Sequence, residues 1–508
     1  ACYVAPFTSR WVQFYPFVFG PDDEWVLRLG RRKRTSVPAP RLGPPAGVVL
    51  TDPDRGLGGR GPLRGFPQDL FPVSVGATDG LHCLVLDYAP ELPPLRRQAL
   101  LDWLRGGGVL HLLGGQEGRY PRFFGDLAVL NNPAEEFCVG AGQVVRHRAL
   151  RADVDERFLA RAGYPLPQAP EDRERHWRAM FAEEATQTLK SLVRPEHNWA
   201  FIYVALLAYL ALVFPVNYVI SRGVRGARRP VLVFLTVVAG FALVMGVLGR
   251  RGAGERSVTH TLAYARALQP GRYDVAEWCN VFVSDGDYYE LTHPAECSIY
   301  SACQRFEQVN GFIDNGRRGR FVVDIPLYSS RPFLHRAKME GPDLGLRVTQ
   351  WADRASGTWL TAEVGDDFPE HAYDLSLVYR EAVYQVRRRG DRLTVSAGAG
   401  RDRQGYLERG GVEQHYMPTP QGVVWMGREQ QEANEAFRGL HRPLITWVFR
   451  HGGAWPGHLF PPHEQDIAHL LIYADMPETF GLAGSEAGRQ VGRVLYHATL
   501  IKPERADE

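Results

Sequence analysis

The sequence is poor in cysteine and has none of the short cysteine motifs that bind metals or haem. Its six cysteines are Cys2, Cys83, Cys138, Cys279, Cys297 and Cys303. No two of them have CxxC spacing, so nothing indicates a zinc ribbon, a redox dithiol or a CxxCH haem attachment. Cys297 and Cys303 are close enough to form a short disulfide in an oxidising compartment, with Cys279 as a competing partner. Three free buried thiols are the alternative.

Net charge is also small. The 59 basic and 57 acidic residues leave a formal charge of +2, so no overall positive field favours a nucleic-acid partner. The 53 glycines and 36 prolines suit loop-rich β-structure. Because a domain typically has about 100–200 residues, the chain of 508 residues allows two to four domains. We therefore expect several globular domains and no nucleic-acid partner.

Two stretches of the sequence come close to a cofactor or metal motif, but neither matches it. The glycines of GGGVLHLLGG at 106–115 lack GxGxxG spacing, and a helix end with a tight turn explains them better. HEQDIAH at 463–469 is not the HExxH zinc motif, although five histidines occur in that part of the chain. They are His441, His451, His458, His463 and His469. We predict no cofactor and no catalytic, cofactor-binding or metal-ligating residue.

Two long uncharged runs stand in the middle of the chain. Residues 199–221 and 230–249 contain no formally charged side chain. Each run reaches the length of about 20 apolar residues that a helix needs to span a bilayer. Two buried core helices are the alternative, but core helices usually keep several polar positions on an outer face. We predict two transmembrane helices joined by the loop 222–229.

The loop between the runs predicts the topology. It contains Arg222, Arg225, Arg228 and Arg229. Short loops rich in arginine and lysine stay on the cytoplasmic side, and the outer flanks of the hairpin are less densely basic. Residues 1–198 and 250–508 are then extracytoplasmic. Because such a start requires export and the first residue is Ala1, we expect a processed chain or a fragment.

Five hairpin residues are candidates for packing and assembly. Pro215 frees a backbone carbonyl, and the Asn217 amide needs a hydrogen-bonding partner in lipid. Tyr218 suits a membrane interface, and Ala242 with Gly246 forms a small-xxx-small face on which another helix can pack. The alternative is that the two helices satisfy each other and bind nothing else.

The part of the chain before the hairpin has the pattern of an α/β domain. GVVLT at 47–51, CLVLDY at 83–88 and VLHLLGG at 109–115 are short apolar runs typical of buried parallel strands. Between the second and third runs, PPLRRQALLDWLRGGG has prolines at its start, an apolar stripe and glycines at its end, as a helix does. This order predicts a βαβ unit.

These residues resemble a glutamine-amidotransferase-like, flavodoxin-type domain of bacterial membrane-anchored proteins. VGAGQVV at 139–145 resembles a later strand of that domain, and FPVNY at 214–218 resembles a GPxNY signature of the hairpin, with Phe214 in place of glycine. The residues that match the helix-and-glycine motif are Ala99, Leu100, Trp103, Leu104, Gly107, Gly108, Gly114 and Gly115. The resemblance covers about residues 45–290 and implies a two-pass protein of the bacterial inner membrane.

The same resemblance raises the question of amidotransferase chemistry, which needs an exposed cysteine nucleophile with a histidine and a glutamate. Cys83 lies inside an apolar strand, and Cys138 lacks the glycine that should precede it. No His-x-Glu pair follows, and His147 and His176 are isolated. We predict a pseudoenzyme, and hence no enzymatic activity.

Beyond the hairpin, strand patterns dominate. Short β-branched and aromatic segments with turn residues between them, among them the Asp285-Gly286 turn, predict a β-sandwich over 250–430. LITWVF at 444–449 and two later segments are predicted as strands of a β-rich segment, 431–508. The remaining parts are an N-terminal β segment (1–44), the α/β domain (45–173) and a juxtamembrane helix (174–198), which packs on the α/β domain or lies at the membrane interface. The predicted fold class is a multidomain α/β plus all-β membrane protein.

Two classes of function remain open. The first is a non-enzymatic, membrane-anchored scaffold or accessory subunit of a membrane protein complex. Its partners are the lipid bilayer and other membrane subunits, and the resemblance implies AAA-type ATPase-associated or von Willebrand A-like proteins among them. The alternative is an extracytoplasmic ligand-binding or enzymatic module that uses the crevice at the carboxyl ends of the α/β strands.

Overall fold

The computed structural model of the protein describes most of the chain. The described residues are 47–51, 63–68, 71–78, 83–114, 119–150, 172–193, 199–222, 228–250, 257–302, 309–315, 317–352, 358–380, 382–402, 428–451, 467–484 and 488–503. Within these ranges the strands form a six-stranded, an eleven-stranded and a three-stranded sheet. The predicted N-terminal segment, 1–44, lies outside the described residues.

The first sheet belongs to an α/β unit. Its elements are β1 (Gly47–Thr51), β2 (Leu63–Pro67), β3 (Cys83–Leu86), helix α1 (Pro94–Arg105), β4 (Val109–Leu113), β5 (Glu136–Val139) and β6 (Gly142–His147). The strand order is β2-β1-β3-β4-β6-β5, and only β5 runs antiparallel to its neighbour. Short 3-10 helices at Val75–Ala77 and Gly125–Asn131 complete the unit. The predicted β3–α1–β4 crossover is present, because β3 and β4 pair in parallel.

Glycines let α1 lie close to this sheet. A Cβ on Gly108 would meet the indole ring of Trp103, and a Cβ on Gly142 would meet the carbonyl oxygen of Leu104. Gly107 has a φ of +102°, a conformation that side-chain-bearing residues rarely adopt. The glycine motif at the end of α1 therefore has a packing role.

The rest of the chain is mainly β-structure. Its strands are β7 (Val258–Gln269), β8 (Arg272–Val283), β9 (Asp287–Leu291), β10 (Glu296–Ala302), β11 (Gly311–Asp314), β12 (Arg320–Ile325), β13 (Ser329–Glu340), β14 (Arg347–Trp351), β15 (Thr358–Glu363), β16 (Ala372–Tyr379), β17 (Ala382–Arg389), β18 (Arg392–Asp402), β19 (Ile467–Asp475) and β20 (Arg489–Ile501). The eleven-stranded sheet has the order β10-β13-β8-β7-β20-β19-β16-β17-β18-β15-β14, and β11-β12-β9 form the small sheet. A 3-10 helix, Glu478–Phe480, lies between β19 and β20.

The large sheet folds across itself and buries a core on each face. On one face, Ala263 and Val275 of the first strands share a cluster with Trp359 and Leu393 of the last strands. On the other face, the sheet packs against helix α2 (Asp172–Ser191) and against the last α-helix of the described chain, α6 (Arg428–His451). The small sheet packs on β8 and β13 through a third cluster that includes Val281.

Two segments differ from their predicted structure. LITWVF at 444–449 is helical, because its apolar residues continue the three-to-four-residue spacing of Phe437 and Leu440, which are buried on the same sheet face. The predicted juxtamembrane helix corresponds to α2, and its Phe181 and Leu189 are buried against the large sheet and α6. Helix α2 therefore packs on the protein, but against the large sheet and α6 rather than against the α/β unit.

The predicted transmembrane hairpin is wrong. The first run is divided into α3 (Trp199–Ala211), a π-helical turn (Leu212–Val216) and α4 (Asn217–Arg222), because Pro215 has no N–H and interrupts the α-helical hydrogen bonds. The second run forms α5 (Arg228–Arg250). Within the part of the chain that the structure describes, no helix has both the length and the apolar character needed to cross a membrane. The fold class of a membrane protein, which depended on this hairpin, is corrected with it.

Candidate functional site

The structure brings the two uncharged runs together as a helical pair. The rings of Tyr209 on α3 and Phe241 on α5 pack with centroids 4.5 Å apart. Of the predicted packing residues, Pro215, Tyr218 and Ala242 are exposed on this pair. Asn217 begins α4 and Gly246 lies in α5, but the surroundings of both residues are outside the described part.

The predicted topology residues lie around the connection of these helices. Arg222 ends α4 and is exposed, while Arg228 and Arg229 begin α5. Arg225 lies outside the described residues. The basic residues are thus concentrated at one end of the helical pair.

The helical pair exposes an extensive apolar surface. The side chains of Leu207 and Leu243 are 64% and 71% exposed. The exposed apolar residues of α3 to α5, called the apolar helical surface below, are Tyr203, Val204, Leu206, Leu207, Leu210, Leu212, Phe214, Tyr218, Val219, Val231, Leu232, Phe234, Leu235 and Leu243. Exposed apolar side chains concentrated on one pair of helices are typical of interaction sites.

The predicted disulfide stays a prediction. Cys297 lies in β10 with a φ of 58°, but Cys303 is outside the described residues. No disulfide joins the described cysteines Cys138, Cys279 and Cys297. The competing partner, Cys279, is buried in β8, where its sulfur is 3.7 Å from the hydroxyl of Thr261.

A second feature is a buried polar cluster in the large sheet. Glu277 on β8 and His335 on β13 are direct cross-strand partners. Tyr300 on β10 is in turn the cross-strand partner of His335. His293 joins them from the connection between β9 and β10, which an isolated bridge between Thr292 and Ala483 holds in place. Strand register thus assembles the cluster from four separate segments.

The distances within this cluster are short. Nδ1 of His335 lies 2.6 Å from Oε2 of Glu277, and Nε2 of His293 lies 3.3 Å from the same oxygen. Nδ1 of His293 is 2.8 Å from the hydroxyl of Tyr300. The two imidazole rings are stacked, with centroids 3.6 Å apart and an interplanar angle of 5°.

Burial controls the charges of the cluster. The side chains of Glu277 and His335 have no exposed surface, and that of His293 is 1% exposed. Burial lowers the pKa of His293 to about 3 and that of His335 well below its usual value, so both imidazoles are neutral at neutral pH. Burial also raises the pKa of Glu277, because a carboxylate in this environment lacks solvation.

The prediction that the chain has no metal-ligand residues did not consider this cluster. Its members share no local spacing motif, since each lies on a different strand or connection. Successive side chains of a strand point to opposite faces, but only the register of β8, β13 and β10 places Glu277, His335 and Tyr300 in one row.

A buried ion pair on the opposite face of β8 and β13 has a structural role. Arg336 donates to both carboxylate oxygens of Asp274 at 3.1 and 2.8 Å. Lys338, two residues further along β13, lies 2.5 Å from Asp102 of α1. The second pair joins the α/β unit to the large sheet, and burial, opposed by Lys338, raises the pKa of Asp102.

Comparisons with known proteins leave the family of this chain open. No protein-family model and no curated protein matches the sequence. The predicted membership of the amidotransferase-like membrane family is therefore wrong, since nothing beyond the quoted motifs supports it and the transmembrane hairpin that it requires is not observed.

Matches among solved structures include two M1 zinc metallopeptidases. One is a two-domain variant bound to L-tryptophan, with 11% identity, a TM-score of 0.13, and coverage of 28% of this chain and 39% of that chain. The other, from Deinococcus radiodurans, has 10% identity, a TM-score of 0.12 and coverage of 28% and 38%. The match thus spans less than half of either relative, and TM-scores this low carry no argument about fold or function.

Proposed function

We propose that this protein is a non-enzymatic accessory subunit that binds a protein partner through the apolar helical surface. The observation that carries the proposal is the exposure of aliphatic and aromatic side chains on both α3 and α5. An apolar surface of this kind is stabilised when a partner removes it from water, at about 25 cal/mol per Å² of apolar area. Aromatic residues such as Phe214 and Tyr218 are typical anchors of protein interfaces.

The charge around the surface indicates the chemistry of the partner. No aspartate or glutamate occurs in residues 197–254, whereas Arg222, Arg228 and Arg229 lie where α4 ends and α5 begins. Complementary charge steers association and fixes orientation. The partner therefore presents an apolar helical face with acidic residues at one border.

That the partner is another membrane subunit, an AAA-type ATPase-associated protein or a von Willebrand A-like protein remains a prediction. The predicted location at the bacterial inner membrane also stays a prediction, but the two-pass anchoring on which it relied is wrong. The alternative function, ligand binding at the crevice of the α/β unit, has no observation of its own among the described residues.

Site-specific photo-crosslinking in the native cell tests the proposal. A crosslinking amino acid replaces Leu207 or Leu243 on the apolar helical surface, and Leu327, which is 59% exposed between β12 and β13, is the matched control. We expect the same protein adduct from positions 207 and 243 and none from position 327. Adducts with lipid alone, with a second copy of this chain alone, or with nothing would each contradict the proposal.

A further inference from the structure

We propose that Glu277, His293 and His335 form a closed binding site for one divalent transition-metal ion of the zinc class. This inference is independent of the proposed function. Each of the three residues offers one ligand atom, and these atoms all lie within 4.8 Å of one another. Two imidazoles and one carboxylate are ligands that zinc and its neighbours accept in proteins.

Two polar atoms of the cluster lack partners, which is the strongest sign that a ligand belongs there. Oε1 of Glu277 and Nε2 of His335 are buried and have no hydrogen-bonding partner among the residues that the structure describes. A buried polar group without a partner is destabilising, and a buried charge more so. A bound cation offsets the burial of the carboxylate and takes up lone pairs that are otherwise unsatisfied.

The ion pair of Asp274 and Arg336 shows what the cluster is missing. Asp274, on the same strand as Glu277 and equally buried, is neutralised by the bidentate guanidinium of Arg336. Among the described residues, the ion-pair contacts of Glu277 are with His293 and His335 alone. No arginine or lysine is among these contacts, and neutral imidazole is the form that binds metals.

Tyr300 orients one of the ligands. Its hydroxyl lies 2.8 Å from Nδ1 of His293, which leaves Nε2 of that ring directed at Glu277. A hydrogen bond to the non-coordinating nitrogen is the usual support of a metal-bound histidine. Tyr300 is thus a positioning residue for the proposed site.

Binding requires a small rearrangement. An imidazole coordinates a metal in the plane of its ring, whereas the rings of His293 and His335 are parallel and 3.6 Å apart. One ring therefore has to turn about its side-chain bonds so that both lone pairs converge. Because the site is enclosed, a substrate does not reach the ion, and we expect the ion to join the connection between β9 and β10 to the large sheet.

Metal analysis of the full chain tests this inference. Protein stripped with a chelator is titrated with Zn²⁺, and bound metal is counted after gel filtration. We expect one ion per chain, and an affinity at least tenfold lower for Glu277→Gln and for His293→Gln. Tyr300→Phe should lower the affinity less. The matched control is His260→Gln, which replaces a buried histidine on β7 of the same sheet.

The outcomes separate the site from a purely structural polar cluster. Folded wild-type protein that takes up no zinc would overturn the inference, as would zinc binding that both ligand variants leave unchanged. Where a variant does not fold, X-ray absorption of the zinc-bound wild type decides. Two imidazoles with an oxygen ligand and no sulfur are expected, and a sulfur ligand or an all-oxygen shell would contradict the site. These results are independent of whether a protein partner binds the apolar helical surface.

Discussion

Buried histidines make the stability of this fold depend on pH. His111 of β4 is fully buried, and its Nδ1 lies 2.9 Å from Nε2 of His147 on β6. Burial first, and His147 second, lower the pKa of His111 to about 3. The pKa of His147 is itself lowered by burial and partly restored by Glu136. Both histidines therefore favour the neutral form in the folded state.

Acid should therefore destabilise the α/β unit through His111. Its pKa is about 3 when folded and 6.5 when unfolded, so the unfolded state binds more protons between these values and stability is lost as the pH falls below 6.5. His111→Gln should reduce the loss of unfolding free energy between pH 7 and pH 5 by about 2 kcal/mol. Urea titrations at both pH values measure this, with the exposed His371→Gln as control. Equal losses in wild type and His111→Gln would contradict the assignment.

The buried ion pair of Asp274 and Arg336 leads to a second prediction, which concerns the stability of the fold. Both side chains are almost completely buried, so replacing Arg336 with Leu leaves an uncompensated carboxylate. We expect a loss of about 3–5 kcal/mol in the free energy of unfolding, part of which Asp274→Asn should restore in the double variant.

The control for this prediction is an exposed ion pair. Arg320 lies 3.4 Å from Glu290, and both side chains are about half exposed. Arg320→Leu should therefore cost less than about 1 kcal/mol. Chemical denaturation measures all three changes in the free energy of unfolding. Similar losses for Arg320→Leu and Arg336→Leu would show that burial does not increase the cost of breaking an ion pair.

The close packing at the end of α1 predicts how a single substitution affects the whole helix. Gly108 allows the Trp103 ring to lie against the start of β4, so Gly108→Ala should shift the helix from the sheet. Overpacking of this kind typically costs about 1–3 kcal/mol. Gly439 of α6 is the control, since a Cβ there meets no atom within 4 Å and alanine favours a helix by about 1 kcal/mol. Thermal unfolding of the two variants should shift in opposite directions, and a neutral Gly108→Ala would contradict the packing account.

Sequence patterns predicted the helices and strands better than they predicted what those helices and strands pack against. The β3–α1–β4 unit was predictable because the prolines before the helix, the apolar stripe and the glycines after it agree with one another. LITWVF was mistaken for a strand because six residues do not distinguish a buried strand from the end of a long amphipathic helix. The uncharged run at 199–221 was taken as one helix, whereas Pro215 divides it.

The whole molecule is organised by pairings that no local pattern contains. β20 lies between β7 and β19, and it pairs in parallel with β7 from more than two hundred residues earlier in the chain. The register of β8 against β13 brings Glu277 and His335 together, and because no local pattern contains it, the candidate metal site was not predicted from the sequence. The apolar helical surface, by contrast, was visible in the sequence as two uncharged runs, although the structure changes what those runs form.

Affinity for the purified crosslinked partner tests the central claim most directly. The full chain, its Leu207→Glu and Leu243→Glu variants and the control Leu327→Glu are titrated with that protein. We predict at least a tenfold weaker Kd for Leu207→Glu and for Leu243→Glu, equivalent to about 1.4 kcal/mol or more, because each change buries an unpaired carboxylate in an apolar interface. Leu327→Glu should bind as the wild type does. The same Kd for all four proteins would contradict the claim that the apolar helical surface is the binding site.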